Sequence, residues 1–369
     1  MRLYLHWPFC RSRCSYCDFN SRVAPTALMD AYREALEWEM RAWARLLDGR
    51  KGPLRSLYLG GGTPSCMAGE EVADLLGKAA ETFGLEEEAE VTVEVNPSSW
   101  ERRDFKRAVE GGANRFSVGV QSLDEGVLRL LSRPHGAAEA MEAVDAALSS
   151  GARSVGADLL YGLPTPGRDA FLKSLEGAVG LGVHHISAYA LTLTDGTPLA
   201  RRVQRGELRL PSEEESADEY LAACDLLAGR GFEHYEISNF CLPGHLCRHN
   251  LAYWRREEYL GLGAGAHSFM GGTRFRNERF LLRYLREIEA GRLPVRDAEA
   301  IGKEEAREEM VMLGMRTARG VHERTIRRSR GRLRELSSSG LLALSGGRVA
   351  LTARGMLVSN MVIADLLYG

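Results

Sequence analysis

The first two-thirds of the chain alternate between short runs rich in apolar and β-branched residues and longer segments with helical periodicity. The short runs predict six strands, at Arg2–His6, Arg55–Leu59, Glu90–Val95, Arg115–Val118, Ser154–Leu159 and His184–Leu191. In the intervening segment Ala27–Leu47, apolar residues recur every three or four positions, at Leu28, Tyr32, Leu36, Met40, Trp43 and Leu47. Repeated strand–helix units predict an α/β fold with a parallel sheet, and six of them favour a partial (β/α)6 TIM-like barrel over a doubly wound sheet.

A different pattern follows a charged, proline-containing stretch, Arg292–Glu305, which we interpret as a domain boundary. Helical segments come next, and then two alternating strands within Leu341–Thr352 joined by Gly346–Gly347. Paired glycines readily adopt the positive φ angles of a tight hairpin turn, so this region predicts a small winged-helix-like α+β domain. The predicted parts are a barrel at residues 1–205, a barrel-completing segment at 206–300 and the C-terminal domain at 301–369.

Composition narrows the class of protein. The chain has 48 Lys and Arg against 50 Asp and Glu, so its overall charge gives no bulk attraction to nucleic acid or anionic lipid. Residues 1–9 lack the long apolar segment of a signal peptide, and no window has about 18 uninterrupted apolar residues. We therefore expect a cytoplasmic protein, in which clustered cysteines indicate metal or redox chemistry before disulfides.

Three of the seven cysteines, Cys10, Cys14 and Cys17, fall within eight positions of the loop after the first predicted strand. Three thiolates can ligate three irons of a 4Fe–4S cluster and leave the fourth iron open to an outside ligand. A structural zinc ion would require a fourth nearby ligand, and the candidates are His6, on the strand, and Asp18, directly beside Cys17. The spacing favours the cluster; zinc and buried structural thiols are the alternatives.

Other unusual loops follow later strands: Gly60–Pro64 (GGGTP), Asn96–Pro97 and Tyr161–Pro166 (YGLPTP). Carboxyl ends of parallel strands meet at one face, so these loops and the cysteines should converge there. The glycines would let the backbone approach a ligand closely, although a tight turn explains them equally well. GGGTP is not a P-loop, because the Gly-Lys-Ser/Thr ending is absent.

Polar side chains near the strand ends add candidate binding groups. Glu94 could accept hydrogen bonds from ribose hydroxyls, or could form a salt bridge within the barrel. Gln121, Arg133 and Asp158 form a second polar set, in which the planar fork of Arg133 suits a carboxylate. Ordinary salt bridging is again the alternative.

CRSRCSYC (Cys10–Cys17) resembles the signature of radical S-adenosylmethionine enzymes. With YLHWPFC, LGGGTPS, VEVNP, RFSVGVQSLD, LSRPH and DLLYGLPTP, it makes essentially the whole chain similar to the family of oxygen-independent coproporphyrinogen III oxidases and HemW heme chaperones. The resemblance implies a 4Fe–4S cluster on Cys10, Cys14 and Cys17, whose open iron is chelated by S-adenosylmethionine. The cofactor contacts that it implies are Tyr4, Tyr16, Gly61, Gly62, Thr63, Glu94, Gln121, Arg133 and Asp158, and part of this set matches residues that hold a second S-adenosylmethionine in decarboxylating relatives.

Three features are similar to the heme chaperone branch. Oxidases carry a further cysteine where this chain has Phe19, and they have an N-terminal extension. The segment Cys241–Arg255 contains an HNxxYW motif, in which the resemblance implies heme binding. Heme needs an axial donor and a flat aromatic wall, so the candidates are His249, Cys247, Tyr253 and Trp254. A packed histidine, and zinc on Cys241, His245, Cys247 and His249, are the alternatives.

Two further segments have weaker interpretations. GLGAGAHS (Gly261–Ser268) is superficially like a dinucleotide fingerprint, but a tight strand–loop contact fits its setting better, and His267 is a reserve heme or substrate contact. The arginine-rich segment Arg319–Arg334 favours docking to an acidic partner or a membrane surface over nucleic acid.

The resemblance thus implies a heme chaperone that binds a 4Fe–4S cluster, S-adenosylmethionine and heme. Such a protein would deliver heme to acceptor hemoproteins, including membrane respiratory enzymes, with cluster-dependent homodimerisation and peripheral membrane association. The alternative is an oxygen-independent coproporphyrinogen III oxidase, and a third reading is a radical S-adenosylmethionine enzyme acting on an unrelated substrate. Whether the chain is an enzyme stays open at this level.

Overall fold

The computed structural model describes residues 1–48, 52–164 and 168–368. Thr165 and Pro166, at the end of the YGLPTP loop, lie outside the described residues. Each of the six predicted strands is present, and the boundaries differ by a few residues. The strands are β1 Arg2–Trp7, β2 Leu54–Gly61, β3 Leu85–Val95, β4 Arg115–Gln121, β5 Ser154–Tyr161 and β6 His185–Ala190.

Helices connect these strands, and the predicted segment Ala27–Leu47 forms the first of them. The helices of this part are α1 Thr26–Leu47, α2 Gly69–Phe83, α3 Arg102–Glu110, α4 Glu125–Leu130, α5 Ala137–Leu148, α6 Arg168–Gly180, α7 Pro198–Gln204 and α8 Glu213–Gly229. The apolar stripe of α1 faces inward: Tyr32, Leu36 and Met40 are buried in the main core, as its periodicity predicts.

The strands form one nine-stranded sheet in the order β7-β8-β6-β5-β4-β3-β2-β1-β9. Strands β1 to β6 pair in parallel, each with its neighbour in the chain. The added strands are β7 Glu233–Glu236, β8 Asn239–Cys241 and β9 Leu260–Leu262, and β9 pairs in parallel with β1. No ladder joins β7 to β9 within the described ranges, so the barrel is partial, which confirms the predicted fold class.

Alternation along the strands separates two faces of the sheet. On β4, Phe116, Val118 and Val120 belong to the hydrophobic core beneath the helices. The residues between them, Ser117, Gly119 and Gln121, face a cavity inside the barrel. The core therefore lies between sheet and helices, and the inner face of the barrel is free to carry polar groups.

Beyond β9, β10 His267–Met270, β11 Thr273–Asn277 and β12 Val295–Ala300 form a short sheet, which contacts β9 through β10 and β11. The helices of this region are α9 Arg248–Trp254, which contacts β2, and α10 Leu281–Glu289, which contacts α1. Strand β12 lies inside the stretch interpreted as a boundary, Arg292–Glu305. It pairs with β11, so the polar composition of that stretch reflects an exposed edge strand.

The C-terminal elements include the predicted hairpin. They are α11 Lys303–Gly314, β13 Val321–His322, α12 Arg330–Ser338, β14 Leu342–Ser345, β15 Arg348–Leu351, α13 Ala353–Leu357 and α14 Ser359–Tyr368. Gly346 and Gly347 both have positive φ between β14 and β15, and β13 completes a three-stranded sheet, a winged-helix-like arrangement. The division of the chain at residues 205 and 300 stays a prediction. No described helix is long and apolar enough to span a membrane.

Candidate functional site

A cavity of about 360 Å³ opens at the carboxyl ends of β1 to β6 and reaches down inside the barrel. The predicted site residues that line it are Cys10, Cys14, Tyr16, Cys17, Gly62, Thr63, Glu94, Gln121, Arg133, Asp158 and Cys247. Five others do not line it among the described residues: Tyr4, Gly61, His249, Tyr253 and Trp254. The cysteine loop, the GGGTP loop and the polar strand residues thus converge as their topology predicts.

The three cysteines of the loop are free, half-exposed thiols that face this one cavity. The Thr63 hydroxyl donates to Cys10 Sγ at 3.3 Å, and the Arg133 guanidinium donates to Cys14 Sγ at 3.2 Å. Burial raises the pKa of Cys17, and the neighbouring Cys14 and Cys10 raise it further. A cation that bound all three thiolates would relieve both effects.

The glycines of GGGTP have a packing role that the sequence left undecided. The backbone N–H of Gly62 donates to Trp7 O, and that of Thr63 to Phe9 O, each at 2.7 Å. A Cβ atom on Gly62 would lie 2.7 Å from Phe9 O, and one on Gly61 would lie 2.5 Å from the His6 ring. Glycine is therefore required here because the end of β2 presses against the start of the cysteine loop.

Glu94 sits on the inner face of β3. Its carboxylate accepts hydrogen bonds from Tyr58 OH (2.9 Å) and from the backbone N–H of Gly61 (3.0 Å). Burial raises the pKa of Glu94 to about 7, and no cation pairs with it among the described residues. The salt-bridge alternative for Glu94 is therefore wrong within the described structure. A carboxylate has acceptor capacity beyond these two donors, which leaves room for ligand hydroxyls.

Asp158 and Arg133 face the same space from β5 and from the loop after α4. The hydroxyl of Ser117 donates to both carboxylate oxygens of Asp158, at 3.0 and 2.9 Å, and burial raises the pKa of Asp158. Arg133 donates to Gly119 O at 2.8 Å, and its Nε has no partner among the described residues. Neither side chain forms an ion pair in the described residues, so the salt-bridging alternative is not what the structure shows.

The inner wall also contains residues that sequence analysis missed. Arg115, His185 and Thr92 are all more than nine-tenths buried and line the cavity. Thr92 Oγ1 and His185 Nδ1 have no hydrogen-bond partner within the described ranges. The signal was present: polar residues at every second position of β3, β4 and β6 interrupt the apolar runs that a strand buried on both faces would show.

The HNxxYW motif lies on the short helix α9, and Glu90 of β3 holds the start of that helix. The Glu90 carboxylate accepts the backbone N–H groups of Arg248 (2.9 Å) and His249 (2.8 Å). His249 is almost fully buried, and its two ring nitrogens are hydrogen-bonded to Ser56 Oγ (2.9 Å) and Tyr253 OH (2.8 Å). Burial lowers the pKa of His249 to about 3, so the ring is neutral and already satisfied.

Cys247 lines the barrel cavity close to Glu90, and burial raises its pKa to about 12, so it is a thiol at neutral pH. Among the described residues, no three His, Cys, Asp or Glu side chains converge closely enough to hold a single metal ion. That geometry does not bear on a 4Fe–4S cluster, because each thiolate binds a different iron and the ligand sulfurs lie farther apart.

A second cavity, of about 530 Å³, lies beside β1. Tyr4 and Tyr253 line it, together with residues of β10, β11 and α11. Trp254 packs in a small core cluster with Tyr235 and Leu251 and lines neither cavity among the described residues. The structure thus separates the HNxxYW residues: Asn250 faces the barrel cavity, Tyr253 the second cavity, and His249 the core between them.

The residues of the barrel cavity fit the group that the cysteine spacing predicts. Three free thiols share one opening, and Arg133 Nε, Thr92 Oγ1 and His185 Nδ1 of the cavity wall have no hydrogen-bond partner among the described residues, so a polar ligand could satisfy them. Cys10, Cys14 and Cys17 would hold a 4Fe–4S cluster, and Glu94 and Asp158 would accept hydrogen bonds from the amino or ribose hydroxyl groups of S-adenosylmethionine.

Comparisons with known proteins agree with this arrangement. The model of the Radical SAM superfamily matches residues 4–178, and that of the HemN C-terminal domain matches residues 301–358. The chain is 39% identical over 370 residues to the heme chaperone HemW of Mycobacterium tuberculosis, covering 99% of this chain and 94% of that protein. It is 32% identical over 374 residues to HemW of Bacillus subtilis, with 99% and 98% covered. Among solved structures, coproporphyrinogen III oxidase (HemN) from Escherichia coli superposes with a TM-score of 0.83 at 22% identity, covering all of this chain and 90% of that one, a likeness of fold.

Proposed function

We propose that this chain, which belongs to the HemW family of heme chaperones within the radical S-adenosylmethionine superfamily, is itself a heme chaperone. In this proposal it carries a 4Fe–4S cluster and S-adenosylmethionine in the barrel cavity, binds heme at a separate place and delivers it to acceptor hemoproteins. The observation that carries the proposal is the convergence of three free cysteines on one cavity, beside a second cavity that contains Tyr253 of the HNxxYW motif.

The barrel cavity supplies binding and orientation. When bound, the cluster and S-adenosylmethionine together would supply one-electron chemistry. Thr63 and Arg133, which donate to Cys10 Sγ and Cys14 Sγ, would stabilise negative charge on the thiolates. Glu94 is fixed by Tyr58 and Gly61, so its free acceptor positions stay aimed into the cavity.

Heme is the cargo in this proposal, and the sequence predicts that it binds at the HNxxYW segment. Acceptor hemoproteins, among them membrane respiratory enzymes, would be the partners, and a homodimer would form when the cluster is present. The arginine-rich segment Arg319–Arg334 gives less support to docking on an acidic partner or a membrane surface than its composition suggests. Several of its arginines are engaged within the chain, as in Arg327–Glu304, Arg330–Glu323 and Arg332–Asp365.

The test is anaerobic reconstitution with iron and sulfide, followed by heme titration and incubation with an apo-hemoprotein. We expect the wild type to take up a full 4Fe–4S complement, to bind heme and to transfer it. Cys14→Ala should lose most of the iron, whereas Cys224→Ala, a half-buried thiol outside the loop, should keep it.

The same preparation separates the two candidate activities. Formation of protoporphyrinogen IX from coproporphyrinogen III, without stable heme binding, would replace the chaperone proposal by the oxidase. A colourless preparation with no bound iron would remove both.

A further inference from the structure

The second cavity has the properties of a site for a large flat ligand. Its volume of about 530 Å³ falls within the range of about 300–1,000 Å³ usual for ligand pockets. Its wall includes the rings of Tyr253 and Tyr259, whose centroids lie 4.6 Å apart, and of Phe269. Aromatic rings of this kind offer apolar contact area to a planar macrocycle.

One side chain at the edge of this cavity can bind a metal. His267, the first residue of β10, is exposed and lines the cavity, and its ring has no hydrogen-bond partner among the described residues. Partial burial lowers the pKa of His267, and the nearby Arg276 and Arg274 lower it further. Imidazole nitrogen is a common axial ligand of heme iron, so an open, unpartnered ring at the cavity edge is placed to bind one.

His249 is in the opposite situation. Both of its ring nitrogens are occupied, by Ser56 and Tyr253, and it lines neither cavity among the described residues. Ligation of iron by His249 would break at least one hydrogen bond in a buried site and leave the former partner unpaired, which is unfavourable. Its contact with Tyr253 instead fixes one ring of the second cavity.

The charge around the cavity suits a ligand with carboxylates. Arg256 and Arg274 both pair with the single carboxylate of Glu309, the first at 2.6 Å. Glu299 faces Arg274 across the strand pair β11–β12. The two guanidinium groups share the Glu309 carboxylate, and a guanidinium has five N–H donors, so each keeps N–H groups that can bind a ligand carboxylate. A porphyrin with an iron centre, a flat apolar body and carboxylate side groups matches the histidine, the rings and the arginines together.

We propose that the second cavity is the heme site and that His267 provides the axial nitrogen, with His249 acting as a positioning residue through Tyr253. The inference rests on the proposed function, since it takes heme as the cargo. It assigns the iron ligand to a residue outside the HNxxYW motif, and it explains why that motif borders the site through its tyrosine.

The test is a hemin titration of the full chain, followed by absorption and resonance Raman spectra, on wild type, His267→Ala, His249→Ala and His322→Ala. His322 is an exposed histidine of the C-terminal region and serves as the matched control. We expect His267→Ala to lose the histidine-ligated spectrum. Because even outer partners of metal ligands contribute about 10–100-fold to affinity, its heme affinity should fall by at least roughly tenfold.

Added imidazole should restore the ligated spectrum to His267→Ala, which a merely structural effect would not allow. His249→Ala should keep the ligated spectrum with weaker binding, and His322→Ala should match the wild type. Circular dichroism of each variant reports folding. An unchanged spectrum in His267→Ala overturns this inference and leaves the chaperone proposal standing, whereas a wild type that binds no heme overturns both.

Discussion

The helix that carries the HNxxYW motif begins against a side chain about 160 positions earlier in the chain. Helix α9 has no side-chain cap of its own, and the carboxylate of Glu90 accepts its first N–H groups instead. A negative charge at a helix N-terminus satisfies donors that have no partner inside the helix and interacts favourably with its dipole. A single strand residue thereby sets the position of His249 and Tyr253.

Replacing this carboxylate should destabilise the protein measurably. We expect Glu90→Ala to lower the free energy of unfolding by about 2 kcal/mol, because it leaves buried N–H groups unpaired. Urea denaturation measures this. Glu88→Ala is the matched control on the same strand, since Glu88 forms only an exposed pair with Arg153 and should change stability by less than about 0.5 kcal/mol. Equal effects of the two variants would contradict the capping role.

At the scale of elements, the site depends on how closely two segments approach. The end of β2 lies directly on the beginning of the cysteine loop, through the bonds of Gly62 and Thr63 to Trp7 and Phe9. The loop that contains Gly263 approaches β1 in the same way, because a Cβ on Gly263 would lie 2.7 Å from His6 O. This confirms that GLGAGAHS forms a tight strand–loop contact and not a nucleotide-binding turn.

Gly62→Ala should displace the cysteine loop, because the added Cβ would lie 2.7 Å from Phe9 O. We expect iron incorporation after anaerobic reconstitution to fall severalfold, measured as iron per chain and as visible absorbance. The control is Gly77→Ala in the interior of α2, where a Cβ meets nothing within 4 Å. That change should keep full iron content and stabilise the helix by about 1 kcal/mol. Normal iron content in Gly62→Ala would show that the close approach is dispensable.

At the scale of the whole molecule, one buried carboxylate joins the barrel to the segments that follow it. Glu39 of α1 is fully buried and accepts hydrogen bonds from Gly263 N (2.9 Å), from Asn277 Nδ2 of β11 (2.6 Å) and from Tyr284 OH of α10 (2.7 Å). No cation pairs with it among the described residues. Burial therefore raises the pKa of Glu39 from 4.5 to about 7 despite these donors.

This raised pKa predicts a specific pH dependence of stability. The folded state holds the Glu39 proton more tightly than the unfolded chain does. The protonated carboxyl therefore contributes fully to stability below pH 4.5, and this contribution is lost as the pH rises through about 7. Glutamine cannot ionise. The free energy of unfolding of Glu39→Gln should therefore rise relative to that of the wild type by about 3 kcal/mol between pH 4.5 and pH 8, since each unit of pKa difference corresponds to 1.36 kcal/mol. Urea midpoints across this range measure it. A difference between the two proteins that does not vary with pH would show that Glu39 titrates normally.

Local periodicity was enough to locate most of the architecture. The six parallel strands, helix α1 and the hairpin at Gly346–Gly347 follow from patterns of apolar residues and glycines that are short in sequence. Edge strand β12 was missed, because an exposed strand that pairs on one side needs few apolar residues. Of the inward polar face, Glu94, Gln121 and Asp158 were predicted and Ser117 and Ser187 were not, because a small polar residue within an apolar run indicates a cavity only once the two faces of the strand are distinguished.

The sequence by itself determined the cysteine spacing, the order of the loops and the membership of the family, since each depends on residues close together in the chain or on motifs read in order. Only the tertiary structure decided which side chains share a cavity. It brought Glu90 to the start of α9, enclosed His249 between Ser56 and Tyr253, and left His267 open beside the aromatic wall. Glu90 and Ser56 lie 159 and 193 residues from His249 in the chain, so no local pattern encodes whether a histidine is satisfied or free.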